Sequence, residues 1–251
     1  MLVDTHCHIH DKMFKEAPDS VLERAHEAGV KQVICVGTEQ PDSRRAIDFA
    51  AQFPNVFAAI GVHPHEARHG WDDIATIASE APKRLVAIGE IGLDYFYTHS
   101  PRETQIVALE AQLQIAQTHN LPVIFHVREA FSDFWPIFDN FASLRGELHS
   151  FTDSWENCEK AIKRGLFIGV NGISTFTKDA SQQEMFARIP LEKMLLETDA
   201  PFLTPKPHRG KVNEPAFVRH VAEHHARVRG VTFEEVAQKT STNADALFAL
   251  T

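Results

Sequence analysis

The residues that could do chemistry in this chain are imidazoles and carboxylates, and they come in short blocks. The first is Asp4-Thr5-His6-Cys7-His8. Leu2 and Val3 begin an apolar run of strand character, and side chains two apart on a strand share a face. His6 and His8 would then point at one place and supply half of a transition-metal site. Further blocks follow: Gly61-Val62-His63-Pro64-His65, Gly89-Glu90-Ile91-Gly92-Leu93-Asp94, Phe125-His126-Val127-Arg128, His149-Ser150-Phe151 and Glu197-Thr198-Asp199-Ala200-Pro201. Apolar residues precede several of them, and a carboxylate so placed is costly to bury unless a cation pairs with it. Imidazole plus carboxylate suits zinc, manganese or magnesium rather than copper thiolate or iron–sulfur. Two such ions need a bridging ligand, for which Glu90 is central in strand order. A metal pair about 3.5–4 Å apart would polarise a phosphoryl or carbonyl oxygen and activate water.

The elements that would position these groups alternate between β-rich runs and helical patterns. Eight strands are expected, at 2–8, 30–37, 56–62, 85–92, 122–127, 147–151, 167–173 and 194–199. Helical periodicity falls between them at 18–28, 41–52, 72–80, 102–118, 154–164 and 181–188. The tail reads as helices at 216–229 and 232–239. Pro18 and Pro41 suit a first helical turn, and Gly29 and Gly165 suit a helix end. Eight β/α alternations over 251 residues predict an α/β fold, a single-domain (β/α)8 TIM barrel over residues 1–251. A doubly wound sheet would carry a phosphate loop after its first strand, where this chain has His6-x-His8. In a barrel the C-terminal strand ends form the active face, and six of the eight expected strands deliver imidazole or carboxylate there.

Composition narrows the class. The chain is 43% hydrophobic and 24% charged, with a formal net charge of −9, which disfavours indiscriminate nucleic-acid binding through a broad basic face. Divalent cations in a cleft would invert the local field and still admit an anionic substrate. Cys7, Cys35 and Cys158 are far apart, which argues for a reducing compartment and against a disulfide framework or a thiolate zinc site. No run approaches the roughly 20 apolar residues of a membrane span, and the first residues lack a signal-peptide pattern. A cytoplasmic monomer without membrane association is the expectation.

Taken together, the blocks at 4–8, 61–65, 89–95, 126–128 and 197–201, with Arg209-Gly210-Lys211-Val212-Asn213-Glu214-Pro215, resemble the signature blocks of the TatD family of metal-dependent deoxyribonucleases. The resemblance runs in order from residue 4 to about 215 and implies an amidohydrolase-like TIM barrel with two divalent metal ions (Zn, Mg or Mn). It implies that His6, His8 and Asp199 bind one metal, that Glu90 bridges, and that His126 and His149 hold the second. Asp199 would also orient the attacking water or take its proton, so Asp199 and Glu90 are the expected catalytic residues. The substrate implied is DNA, single-stranded or processed from an end.

Expected substrate contacts are His63, which reads as a supporting or a phosphate-contacting group, Arg128, for which a phosphate clamp and a rim salt bridge fit equally well, and Lys206, Arg209 and Lys211. The last three belong to the one dense basic stretch, Thr204-Pro205-Lys206-Pro207-His208-Arg209-Gly210-Lys211, which follows the eighth strand and could hold flanking phosphates. Family members often have Tyr where this chain has His208, so a stacking role there is not carried over. His65 reads as structural or surface, and Asp94 serves equally well as a capping acid or a functional one. Tyr95, Phe96 and Tyr97 could stack on bases, whereas Phe131, Phe134 and Trp135 sit in a helical pattern and read as core. Two rivals remain: an amidohydrolase or phosphoesterase acting on a small molecule, and a non-catalytic metal-binding adaptor barrel. No lysine able to form a carbamate stands between strands four and five, and the acid at Asp199 is intact.

Overall fold

The computed structural model describes residues 1–12 and 14–250, so positions 13 and 251 of the expected domain lie outside the described residues. Eight strands form one sheet whose order is the chain order. They are β1 (Leu2–Cys7), β2 (Val30–Val36), β3 (Val56–Ile60), β4 (Leu85–Asp94), β5 (Val123–Arg128), β6 (Gly146–Leu148), β7 (Phe167–Val170) and β8 (Met194–Leu196). The helices between and after them are α1 (Pro18–Glu27), α2 (Gln40–Ala50), α3 (Asp72–Ser79), α4 (Arg102–His119), α5 (Phe131–Asp139), α6 (Trp155–Lys163), α7 (Ile173–Phe176), α8 (Ala180–Arg188), α9 (Val218–Arg229) and α10 (Phe233–Phe248). The fold is the expected (β/α)8 TIM barrel. Among the described residues no helix is long and apolar enough to cross a membrane.

Two compact units divide the chain. One joins residues 1–35 to 150–251, and the other spans 36–149.

In the first unit, β1 is buried along its whole length. It pairs in parallel with β2, and Cys7 bridges Ala200 just beyond β8. The helices start where side chains satisfy the free backbone N–H groups of a first turn. Ser154 caps α6 and Thr232 caps α10, while Asp179 accepts from Ser181 N and Gln182 N at the head of α8. Pro18 opens α1, and Gly29 follows it with a φ of +88°, the conformation that glycine adopts without a Cβ clash.

Two expected strands end three residues early here, each for a local reason. β7 stops at Val170 because Asn171 starts a turn. Its carbonyl accepts from Ser174 N and Ser174 Oγ, and its side-chain oxygen accepts from Ile173 N. Such an Asx turn competes with strand pairing and begins the short α7 instead. β8 stops at Leu196 because Thr198 N donates to the Asp4 carboxylate and Asp199 adopts a left-handed φ of +59°.

In the second unit, β4 pairs in parallel with β3 and β5 and extends to Asp94, two residues further than expected. Gly92 permits this, since a Cβ there would fall 1.7 Å from the His126 carbonyl oxygen. Phe131, Phe134 and Trp135 are buried in α5, as expected. α4 fixes two of the chemical blocks with glutamines seven residues apart, two turns along one face. Gln105 accepts from Asp94 N at 2.8 Å and donates to Asp94 O at 3.0 Å. Gln112 accepts from Val62 N at 2.7 Å and donates to Val62 O at 3.2 Å.

Gln112 is fully buried, so Gln112→Ala strands a buried peptide group beside His63. The expected cost is about 1–3 kcal/mol, read as a lower urea midpoint with an unchanged denaturant slope. An unchanged midpoint would show that water replaces the amide without penalty.

Candidate metal centre

In the first unit, β1, the residue just after it and the segment after β8 carry His6, His8 and Asp199. His6 is fully buried and His8 nearly so. Their Nε2 atoms lie 3.1 Å apart. Asp199 Oδ1 stands 3.4 Å from His8 Nε2 and 3.8 Å from His6 Nε2. Donors bound to one divalent ion at 2.0–2.2 Å stand roughly 3.0–3.5 Å from their neighbours in octahedral or tetrahedral geometry. Two imidazoles with Nε2 facing Nε2 and a carboxylate alongside therefore fit a cation of the zinc, manganese or magnesium type.

The backbone is stitched to keep them there. Asp199 N donates to His6 O at 2.9 Å, and His8 N donates to Ala200 O at 2.8 Å. Behind them lies Asp4, wholly buried, whose carboxylate accepts from Thr198 N at 2.8 Å and Thr198 Oγ1 at 2.6 Å. Burial pushes the Asp4 carboxyl well above the usual carboxylate range, against the opposing pull of the Thr198 hydrogen bonds. Glu197, also fully buried, accepts from Ser150 N at 2.8 Å and Asn171 Nδ2 at 3.2 Å. It thereby pins the turn that follows His149. Asp199 itself sits in the left-handed region, a conformation that costs free energy for any residue with a Cβ and collects at functional sites.

In the second unit, Glu90 gathers three imidazoles. His126 Nδ1 lies 2.8 Å from Glu90 Oε1, His63 Nε2 3.5 Å and His149 Nε2 3.8 Å. Ligand atoms of His63, Glu90 and His126 all fall within 4.8 Å of one another. The two histidines are distinguished by their other nitrogens. His63 Nδ1 accepts from His65 N at 3.1 Å, and burial holds the ring well below the usual histidine range. The neutral ring must then carry its proton on Nε2 and act toward Glu90 as a donor. His126 is the reverse. Its Nε2 faces Asp94 Oδ2 at 3.0 Å, which leaves Nδ1 and the Glu90 oxygen as two acceptors 2.8 Å apart. Burial lowers the His126 pKa, but the hydrogen bonds to Asp94 and Glu90 outweigh it and raise it. A proton or a metal ion satisfies that pair equally well, so His126 and Glu90 fit a cation and His63 fits a supporting donor.

Asp94 emerges as the organising acid that sequence reasoning left undecided. Its Oδ2 faces both His126 Nε2 and His65 Nε2, the latter at 2.9 Å. Its Oδ1 caps the next turn by accepting from Phe96 N at 2.9 Å and Tyr97 N at 3.0 Å. His65, expected to be structural or on the surface, is the second imidazole on that carboxylate. The spacing Glu90-x-x-x-Asp94 at a strand end carried the signal for this pair of acids.

The expected substrate contacts divide. Arg128 is exposed at the end of β5, with its guanidinium 3.8 Å from the Phe96 ring centroid. Lys206 and Lys211 are exposed. Arg209 is partly committed, donating to Thr204 O at 2.7 Å and lying 3.8 Å over the Phe176 ring. His208 stacks on Phe217 with centroids 4.3 Å apart, so it is not presented as a stacking surface. Tyr95 is likewise occupied, since its hydroxyl donates to Asp133 at 2.7 Å and Arg102 packs over its ring.

Asp94→Asn keeps the size of the side chain but cannot both receive the two imidazole N–H groups and cap the turn. Loss of such a carboxylate behind a ligating histidine is expected to weaken divalent-cation binding roughly 10–100-fold, measured by calorimetric titration of metal-stripped protein. Wild-type affinity would remove Asp94 from the support of His126.

Comparison with known proteins agrees with this chemistry. The family model described as TatD related DNase matches residues 3–249. The chain is 37% identical to an uncharacterized metal-dependent hydrolase, YabD, of Bacillus subtilis, over the full length of both. It is 36% identical to a protein of Salmonella typhimurium named 3'-5' ssDNA/RNA exonuclease TatD, covering 98% of each chain. The solved structure of the TatD homolog YJJV from Escherichia coli superposes with a TM-score of 0.93 at 30% identity, covering 99% of this chain and 98% of that one. With the family model spanning nearly every residue and the imidazole–carboxylate sets in place, the chain belongs to the TatD family and is a metal-dependent hydrolase.

Proposed function

We propose that this chain hydrolyses phosphodiester bonds in single-stranded DNA, working from an end, as a monomeric single-domain cytoplasmic enzyme over residues 1–251. The observation that carries the reading is the His6–His8–Asp199 set, whose atoms converge at 3.1–3.8 Å. It is supported by the relative named as an exonuclease acting on single-stranded DNA and RNA.

In this reading His6, His8 and Asp199 would hold one divalent ion, and Glu90, His126 and His149 would hold a second. When bound, zinc, manganese or magnesium ions would activate water and offset the negative charge that develops on phosphorus. The protein's own groups do the rest. Asp199, fixed in a strained backbone conformation beside two imidazoles, takes the proton that the attacking water loses as its oxygen bonds to phosphorus. The phosphorus–oxygen bond to the leaving strand then breaks, and that oxygen takes up a proton from solvent. His63, with its Nε2–H directed at Glu90, is placed to donate to a non-bridging phosphate oxygen once substrate enters. Arg128, Lys206, Arg209 and Lys211 neutralise neighbouring phosphates.

Metal-stripped protein is expected not to cut end-labelled single-stranded DNA, and to cut it once Mg²⁺, Mn²⁺ or Zn²⁺ is restored. Glu90→Gln should lose more than roughly a hundredfold in rate, beyond the upper end for a residue that only supports a ligand. Circular dichroism of the variant controls for folding. Metal binding without cleavage of any strand, alongside turnover of a small ester or amide, would replace this reading with the small-molecule hydrolase.

A further inference from the structure

Large aromatic rings exposed side by side are uncommon, and the second unit has such a pair in Phe96 at 48% and Tyr97 at 42% exposure. The two rings meet edge to face with centroids 4.7 Å apart. Arg128 occupies the corner between them, its guanidinium carbon 3.8 Å from the Phe96 centroid and 5.0 Å from that of Tyr97. Among the described residues no carboxylate pairs with Arg128; the rings alone hold the cation, and its N–H donors remain available. One side of Tyr97 is taken by His99, stacked at 5.6 Å. Phe96 carries Arg128 on one face, but Tyr97 meets both His65 and His99, and at 48% against 42% exposure Phe96 is the more open ring.

This cluster is tied to a proposed metal ligand through one carboxylate. Asp94 Oδ1 receives the backbone N–H groups of Phe96 and Tyr97, while Asp94 Oδ2 faces His126 Nε2. Gln105 clamps the Asp94 peptide from α4. On the neighbouring strand, Arg128 stands two residues beyond His126, and Tyr95 N donates to Arg128 O at 2.9 Å. The rings are thus held at a fixed offset from His126 before any substrate arrives, and a preordered surface gives up little entropy on binding.

We propose that Phe96, Tyr97 and Arg128 form a platform for one unpaired nucleobase next to the scissile phosphate, with Phe96 as the stacking ring. This rests on the nucleic-acid reading above and deepens it. A flat π-face and a guanidinium match a base and its phosphate together, whatever the base, because every base offers a face and every nucleotide a charge. A base inside a duplex has both faces occupied and cannot use the platform. The preference for single strands then follows from Phe96 rather than from a basic groove.

The test is a walk of a single abasic residue along a single-stranded 12-mer, cut by metal-loaded wild type, Phe96→Ala and Phe96→Trp. The platform predicts one position at which removing the base raises KM roughly tenfold or more. Phe96→Ala should raise KM on the intact oligonucleotide by a similar factor, with the loss in KM rather than kcat, and lose nothing further on that abasic strand. Phe96→Trp should restore the intact-strand KM. 2-Aminopurine at the same position should be quenched on binding wild type but not Phe96→Ala. A flat abasic walk, or losses that multiply, would overturn the platform while leaving the nuclease reading intact. Failure of wild type to cut any oligonucleotide with any metal would overturn both, and that result is distinct from a flat walk.

Discussion

Four carboxylates in or just after the strands, Asp4, Glu90, Asp94 and Glu197, are almost completely buried, and the placement of the surrounding chain follows from how each is satisfied. An unmatched buried carboxylate costs several kcal/mol even after relaxation. The chain meets three of them with donors built into the fold. Asp4 is held by Thr198, Glu197 by Ser150 and Asn171, and Asp94 by two imidazoles and two peptide N–H groups. Glu90 differs in kind, because the partners around it are imidazoles that can exchange a proton for a metal. The acids thus differ in whether fixed donors of the fold hold them, Thr198 for Asp4, Ser150 and Asn171 for Glu197 and two peptide N–H groups for Asp94, while Glu90 faces titratable rings.

The same contrast explains how much was legible in the residues. The spacing of His6 on β1 and His8 just beyond its end was directly legible, since alternation along an extended chain puts both side chains on one face, and their Nε2 atoms lie 3.1 Å apart. The order of eight β/α alternations likewise gave the barrel. Strand ends were less legible. β7 and β8 stop early because Asn171 and Thr198 spend their hydrogen bonds on a turn and on Asp4, and only the folded chain reveals those partners. The role of Asp94 was hidden for a related reason. A lone acid at a strand end looks the same whether it caps a turn or orients a ring, and here its two oxygens do one task each. The glutamines on α4 carried no signal beyond their spacing, because their partners are backbone groups far away in sequence.

His63 and His126 illustrate how a single extra hydrogen bond assigns chemistry. Both lie beside Glu90, and both are plausible ligands by residue type. The peptide N–H of His65 occupies His63 Nδ1 and turns its other nitrogen into a donor, whereas Asp94 takes the N–H of His126 and leaves a bare lone pair facing Glu90. Fixing the tautomer through the distant nitrogen is the usual way in which a protein decides whether a histidine binds metal.

The charge balance then constrains how an anionic strand is held. A net charge of −9 gives no long-range attraction for a polyanion, and beyond roughly 8–10 Å that field is screened at physiological salt in any case. Attraction must therefore be local, from bound cations and from a few side chains free of carboxylate partners. Arg128 meets this requirement because aromatic rings rather than acids hold it in place. An ion pair would have fixed the guanidinium equally well but cancelled its charge. Holding a cation by its flat face keeps its edge donors for phosphate, and it builds the ring surface that a base needs in the same step.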